Sequence, residues 1–157
     1  MTQPLKPGDR APAFELPTSR GGPAKLSEYA GKHLILFFYP KDDTDACTRE
    51  AVAFSEARPK LARKGAALLG ISRDSLADHK AFTAKYTLKV RLGSAEAGTV
   101  CNAFGVWQEK QLYGNRFMGS VRSTCLIDPE GVIRQVWRNV RVPGHAERVE
   151  GELEAIR

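Results

Sequence analysis

A cysteine follows a cluster of carboxylates at the start of an amphipathic segment: Asp42, Asp43 and Asp45, then Cys47. A thiol in the first turn of a helix has a physical reason to react. Free N–H groups and the helix dipole favour an anion there, and thiolates form more readily at helix N-termini. The aspartates oppose this, because a carboxylate beside a thiolate disfavours the charged form. A reactive Cys47 therefore sets two conditions. The aspartate side chains must face solvent, and a cation must reach the sulfur from elsewhere. Arg49 is badly placed, since residues two apart on a helix do not face each other. Arg122, at the head of the apolar run "RSTCLID", is the better candidate. Cys47 also lies on an apolar stripe, where a free cysteine can serve simply as a small hydrophobe.

The other cysteines, Cys101 and Cys125, sit in apolar surroundings and read as core residues. Three cysteines without a CxxC pair argue against a disulfide framework and against structural zinc. His33, His79 and His145 are scattered along the chain, so no metal site is expected. No nucleotide or flavin motif appears, and no cofactor is expected. The net charge of +6 is dispersed among acidic residues without a dense basic block, which gives little support to nucleic-acid binding.

Positioning Cys47 requires a strand before it and a helix after it. "HLILFFY" (33–39) is continuously apolar, as expected of a central strand covered on both faces, and Pro40 ends it. Cys47, Ala51, Phe54 and Leu61 then share one helical face, with Thr44 as N-cap. "AALLGI" (66–71) predicts a second buried strand, which makes a β-α-β unit with Cys47 on the crossover. Ligands in such sheets sit beyond the carboxyl ends of the strands, where residues 39–47 lie. Further on, a helix is expected over 75–86, a strand within 86–92, and a short helix over about 94–104 stopped by Gly105. Strands "STCLID" and "VIRQVW" flank the turn "DPEG", and a last helix over about 144–156 buries Val149, Leu153 and Ile156. The 157 residues suit a single α/β domain, a sheet layered with helices.

The string "PKDDTDAC" fits the P-x-x-x-T-x-x-C signature of peroxiredoxins. "FGVWQEKQLYGNRFMGSVRSTCLIDPEGVI" and the opening "KPGDRAPAFELP" resemble the PrxQ branch, also called bacterioferritin comigratory proteins. The likeness runs through nearly the whole chain in order. It implies a thioredoxin-like fold, with a central mixed sheet flanked by helices, and a thiol peroxidase acting on hydrogen peroxide and organic hydroperoxides. It makes Cys47 the peroxidatic cysteine and Thr44 the residue whose hydroxyl contacts sulfur and peroxide. Pro40 becomes the shield of the pocket, and Arg122 the group that stabilises the thiolate.

Two departures bear on mechanism. Asp45-Ala46 replaces the Pro-Gly that commonly precedes the cysteine. The positions where two-cysteine members usually carry the resolving cysteine hold Val52 and Thr83. A one-cysteine mechanism is therefore expected, with an external thiol (thioredoxin, glutaredoxin or a small thiol) as reductant. Cys101 as an unusual resolving residue is the rival. A thioredoxin-type disulfide oxidoreductase would need a CxxC, but Thr44 holds its first place. A peroxide sensor begins with the same chemistry and is separated from an enzyme only by turnover. The segment "MTQPLKPGDRAPAF" has no apolar h-region, so the cytoplasm is expected. A monomer is expected from the resemblance alone.

Overall fold

The computed structural model describes residues 5–157. Its centre is a five-stranded mixed sheet. The order is β5 (Arg91–Ser94), β4 (Ala66–Ser72), β3 (His33–Phe38), β8 (Ser123–Ile127) and β9 (Ile133–Arg138). Strands β3, β4 and β5 are parallel, β8 runs antiparallel to β3, and β9 runs antiparallel to β8. Continuous apolarity in β3 has its explanation here: Leu34, Leu36 and Phe38 pack on one face, Ile35 and Phe37 on the other.

Helices α1 (Asp45–Arg63), α2 (Leu76–Tyr86) and α4 (His145–Ile156) supply the second face with Cys47, Ala51, Phe54, Phe82, Val149 and Leu153. The Phe37 ring stacks on Phe54 with centroids 4.6 Å apart. It also lies so close to β4 that a Cβ on Gly70 would fall 2.6 Å from Cζ of Phe37. That position is glycine because the ring takes the space. The first face is covered by the N-terminal segment, with β1 (Glu15–Leu16) paired to β2 (Ala24–Lys25), and by the short α3 (Thr99–Ala103).

The β3-α1-β4 crossover, α2 with Ser75 capping Asp78 N, and the β8-β9 hairpin closed by Gly131 N to Asp128 O agree with the sequence reading. Elsewhere the structure corrects it. The strand expected within 86–92 spans Arg91–Ser94, because Thr87 is left-handed (φ 50) and Leu88 and Val90 bury from a loop. The helix expected over 94–104 begins only at Thr99. Ser94 belongs to β5, and Gly98 (φ 81) makes the turn that starts α3. Gly105 (φ 71) follows its end, and Ile156 stays half-buried. The hairpin β6 (Trp107–Leu112) and β7 (Asn115–Ser120) was not anticipated; its turn places Tyr113 (φ 51) and Gly114 (φ 80) both in the left-handed region that two-residue hairpin loops demand.

Candidate active site

Strand β3 ends at Phe38, and residues 39–44 carry the chain to α1. Tyr39 is buried, whereas Pro40 and Thr44 are exposed. Thr44 is the N-cap in position, with extended backbone and Thr48 N bonding to its carbonyl oxygen at 2.8 Å. Its side chain does not cap. The hydroxyl donates to Lys41 O at 3.0 Å, and among the described residues no hydrogen bond joins it to the Cys47 sulfur. The expected contact between the Thr44 hydroxyl and the sulfur is thus absent from this arrangement.

Cys47 occupies the first turn of α1 and is 2% exposed. Arg122, the residue before β8, reaches it across the sheet end: Nη2 lies 3.3 Å from Sγ and Nη1 2.8 Å from Glu50 Oε1. One planar guanidinium therefore joins sulfur and carboxylate, a fork geometry lysine cannot reproduce. Burial works against the Arg122 charge, but Glu50 and Cys47 outweigh it and its pKa is raised. The sequence reading missed Glu50. Its signal was a carboxylate three residues after Cys47, on the helical face that otherwise buries apolar side chains. Glu50 Oε2 has no hydrogen-bond partner among the described residues. Burial pushes the Glu50 carboxyl up to about 7, with Arg122 pulling in the other direction.

The three aspartates divide. Asp45 is exposed in the first turn, where a negative charge suits the dipole. Asp43 is exposed in a left-handed conformation (φ 60), held by Lys85 Nζ at 2.7 Å and Tyr86 OH at 2.6 Å. Asp42 does not face solvent, contrary to the condition set from sequence. It is buried beside α2, where Tyr39 OH donates to Oδ1 at 2.6 Å and His79 Nδ1 lies 2.6 Å from Oδ2. Its side chain is engaged by these groups, which turn it away from the sulfur toward α2.

His79 is correspondingly not isolated. Asp42, Asp74 and His79 place one ligand-type atom each within 4.8 Å of one another. Both His79 ring nitrogens already have partners, and Asp74 Oδ2 accepts from Asp42 N and Ser72 Oγ. A cation would have to displace these bonds. A cavity of about 350 Å³, lined by Phe14, Leu26, Leu34 and Ile127, lies at the opposite end of β3 and contains none of the groups above.

Cys101 and Cys125 are buried in the layer on the other face of the sheet. Desolvation pushes their thiols up to about 11 and about 12. Neither takes part in the Cys47 constellation.

A thiol at a helix N-terminus, paired to an arginine from a neighbouring strand of a thioredoxin-like sheet, defines a class, and comparison with known proteins agrees. The AhpC/TSA family model matches residues 7–136, and the chain belongs to that family, within its Bcp/PrxQ peroxiredoxins. It is 44% identical over 149 residues to a putative Bcp peroxiredoxin of Coxiella burnetii, covering 95% of this chain and 99% of that one. Peroxiredoxin Bcp of Xanthomonas campestris is 42% identical, with 92% of each chain covered. A solved cysteine-to-serine mutant of Xylella fastidiosa PrxQ superposes with TM-score 0.92 at 37% identity over 98% of both chains. The protein is a thiol-dependent peroxidase with a thioredoxin-like fold. None of its described helices is long and apolar enough to cross a membrane.

Proposed function

We propose that Cys47 is the peroxidatic nucleophile and that it is regenerated by a thiol from outside the chain. The observation that carries this reading is the 3.3 Å contact from Arg122 Nη2 to Sγ at the start of α1. The sulfur bonds to one peroxide oxygen while the O–O bond breaks. The second oxygen leaves as hydroxide or alkoxide and takes up a proton. Arg122 and the free N–H groups of the first turn are fixed donors beside that developing charge. Pro40 and Thr44 stand at the rim where peroxide enters, and rotation of the Thr44 hydroxyl away from Lys41 O brings it to the substrate.

The product at Cys47 is a sulfenic acid. An external thiol attacks its sulfur, water leaves, and a second thiol releases Cys47 from the mixed disulfide. The layering of the cysteines supports this one-cysteine route. Cys47 packs on one face of the sheet and Cys101 and Cys125 on the other, while Val52 and Thr83 carry no thiol. A disulfide requires Cα atoms within about 7 Å, so Cys101 would have to leave its layer. The relative from Xanthomonas campestris has a solved structure described for alkyl peroxide reduction; here hydrogen peroxide and small organic hydroperoxides are the substrates. The reading takes the enzyme as a cytoplasmic monomer, with thioredoxin, glutaredoxin or a small thiol as donor.

The test is peroxide consumption by wild type and Cys47→Ser with each donor, together with intact-mass measurement after one equivalent of peroxide. Wild-type turnover, lost in Cys47→Ser, and a monomer gaining one oxygen are expected. Unchanged activity in Cys47→Ser would overturn the assignment of the nucleophile. A Cys47–Cys101 disulfide in the monomer would overturn the one-cysteine route.

A further inference from the structure

Residues 40–44 have no regular secondary structure, yet they set where α1 begins and therefore where the Cys47 sulfur lies. Their anchor is Asp42. Its carboxylate accepts from Tyr39 OH at 2.6 Å and faces His79 Nδ1 at 2.6 Å, while its N–H donates to Asp74 Oδ2 at 2.9 Å. On the far side of the ring, His79 Nε2 lies 2.9 Å from Gly93 O. The carbonyl of Gly93 can only accept, so Nε2 must carry a proton. The Nδ1–Oδ2 contact needs a second one: without it, two lone pairs would face each other at hydrogen-bond distance in a buried site. The closed arrangement therefore holds two protons, either as imidazolium with carboxylate or as neutral imidazole with carboxylic acid.

We propose that Asp42 and His79 are positioning residues of the peroxidase. The proton between Oδ2 and Nδ1 latches residues 40–44 to α2 and holds the start of α1 in register with Arg122. The inference rests on Cys47 as nucleophile.

The surroundings give the pair few competitors. From the end of β3 comes Tyr39, whose phenol is raised well above its ordinary value by burial and then by Asp42, and which stays protonated. From the segment after β4 comes the Asp74 carboxylate, already bonded to Asp42 N and Ser72 Oγ. Strand β5 presents the uncharged Gly93 and Ser94. Further out, Lys85 of α2 is paired with Asp43, and Arg73 turns away to Glu96 O and the Trp107 ring. The latch differs from a metal site because each ring nitrogen faces a protein acceptor at hydrogen-bond distance.

The sign of the pH effect follows from the proton count. Imidazole in water is neutral above about pH 6.5. Opening the loop in alkaline solution therefore releases a proton, and raising the pH favours the open form. Asp42→Asn separates this from simple stability. Its carboxamide can donate to an unprotonated Nδ1 and still accept from Tyr39, while Nε2–H keeps Gly93 O. Every bond survives, but the ionisable pair is gone.

The experiment measures the second-order rate of Cys47 oxidation by hydrogen peroxide from pH 6 to 10, each rate corrected for the separately titrated thiolate fraction. Wild type, Asp42→Asn and His79→Leu are compared, and proton NMR follows the downfield His79 Nδ1–H signal. In wild type the corrected rate is expected to fall as pH rises, in step with loss of that signal. Asp42→Asn should lose that fall and keep only the step through pH 7 that belongs to Glu50 beside Arg122. His79→Leu should be slower by about 10- to 100-fold at pH 6, where the wild-type latch is closed, as expected for a misplaced reacting group, and should approach wild type as the pH rises. A profile for Asp42→Asn that tracks wild type, or the same profile in both without the fall tied to the His79 signal, overturns the proposal, as does folded His79→Leu within twofold of wild type at pH 6. If His79→Leu does not fold, the Asp42→Asn profile alone decides. Cys47→Ser, run alongside, reports on the nucleophile: persistent peroxide consumption there would refute that assignment instead.

Discussion

Cys47 and Cys125 are buried to almost the same degree, 2% and 1% exposed, on opposite faces of one sheet. Strand β8 serves both: Cys125 belongs to it, and Arg122 immediately precedes it. On the Cys125 face the neighbours are apolar, and desolvation drives the thiol up to about 12. On the Cys47 face the same strand end delivers a guanidinium to the sulfur, and α1 delivers Glu50 to the guanidinium. Burial alone makes a thiol inert. Burial beside a fixed cation is what the proposed nucleophile needs, because the low-dielectric surroundings that penalise a lone charge strengthen a paired one.

The largest expected break in this comparison comes from exchanging thiols. Cys47→Ser should lower turnover by about 10⁴-fold or more, as nucleophile removal does elsewhere. Cys101→Ala and Cys125→Ala should keep peroxidase activity within twofold and cost about 1 kcal/mol or more of stability each through small cavities. Steady-state assays beside urea unfolding check both halves. Activity lost with Cys101→Ala at unchanged stability would place that thiol in the cycle.

The next effect belongs to the cation. Arg122→Met should lower the rate of Cys47 oxidation by about 10²- to 10³-fold, as loss of one transition-state donor does. Arg122→Lys should recover little, because a single ammonium cannot hold Sγ and Glu50 Oε1 in the fork the guanidinium makes. Stopped-flow oxidation is the measurement. A lysine variant within a few-fold of wild type would mean that charge alone, without the fork, suffices.

How far these features could be read from sequence depends on where their partners lie. The β3-α1-β4 frame was legible because buried parallel strands are continuously apolar and α1 repeats its stripe at Cys47, Ala51, Phe54 and Leu61. Arg122 was reachable by asking what could supply a cation. The β6-β7 hairpin was not legible, since both its faces are largely exposed and Leu112, Phe117 and Met118 break any alternation. The inward turn of Asp42 was hidden for another reason. Its partner His79 is 37 residues away on another helix, and no periodicity in either segment carries that pairing.

Glu50 gives a medium-sized, pH-dependent test. Its carboxyl is pushed up to about 7 from an ordinary 4.5, first by burial. A pKa raised on folding contributes stability that is full below about pH 4.5 and is lost as pH rises through about 7. Glu50→Gln has no such loss, so relative to wild type it should gain on the order of 3 kcal/mol between pH 4.5 and 8. The rate should follow the same group. Below about pH 7 the neutral carboxyl leaves the Arg122 charge to the sulfur, and above it the carboxylate competes. The thiolate-corrected oxidation rate of wild type should step down through pH 7, and that step should vanish in Glu50→Gln. Chemical denaturation at several pH values and stopped-flow kinetics check the two halves, and a step that persists in Glu50→Gln would assign it to another group.

The smallest effect concerns the place where a resolving thiol is missing. Thr83 sits on α2 with its hydroxyl buried and without a hydrogen-bond partner among the described residues. A buried unsatisfied hydroxyl costs free energy, and valine keeps the branched shape while removing it. Thr83→Val should stabilise the protein by about 1 kcal/mol, a rise in melting temperature of about 2–4 °C for a chain of this size. Peroxidase activity with an external thiol should be unchanged, since nothing at this position takes part in a one-cysteine cycle. Calorimetry and the peroxide assay on the same preparation test both statements. A stabilised but slower enzyme would show that the hydroxyl is used when α2 and the loop at Asp42 move, and would extend the active face of the sheet from Cys47 to this helix.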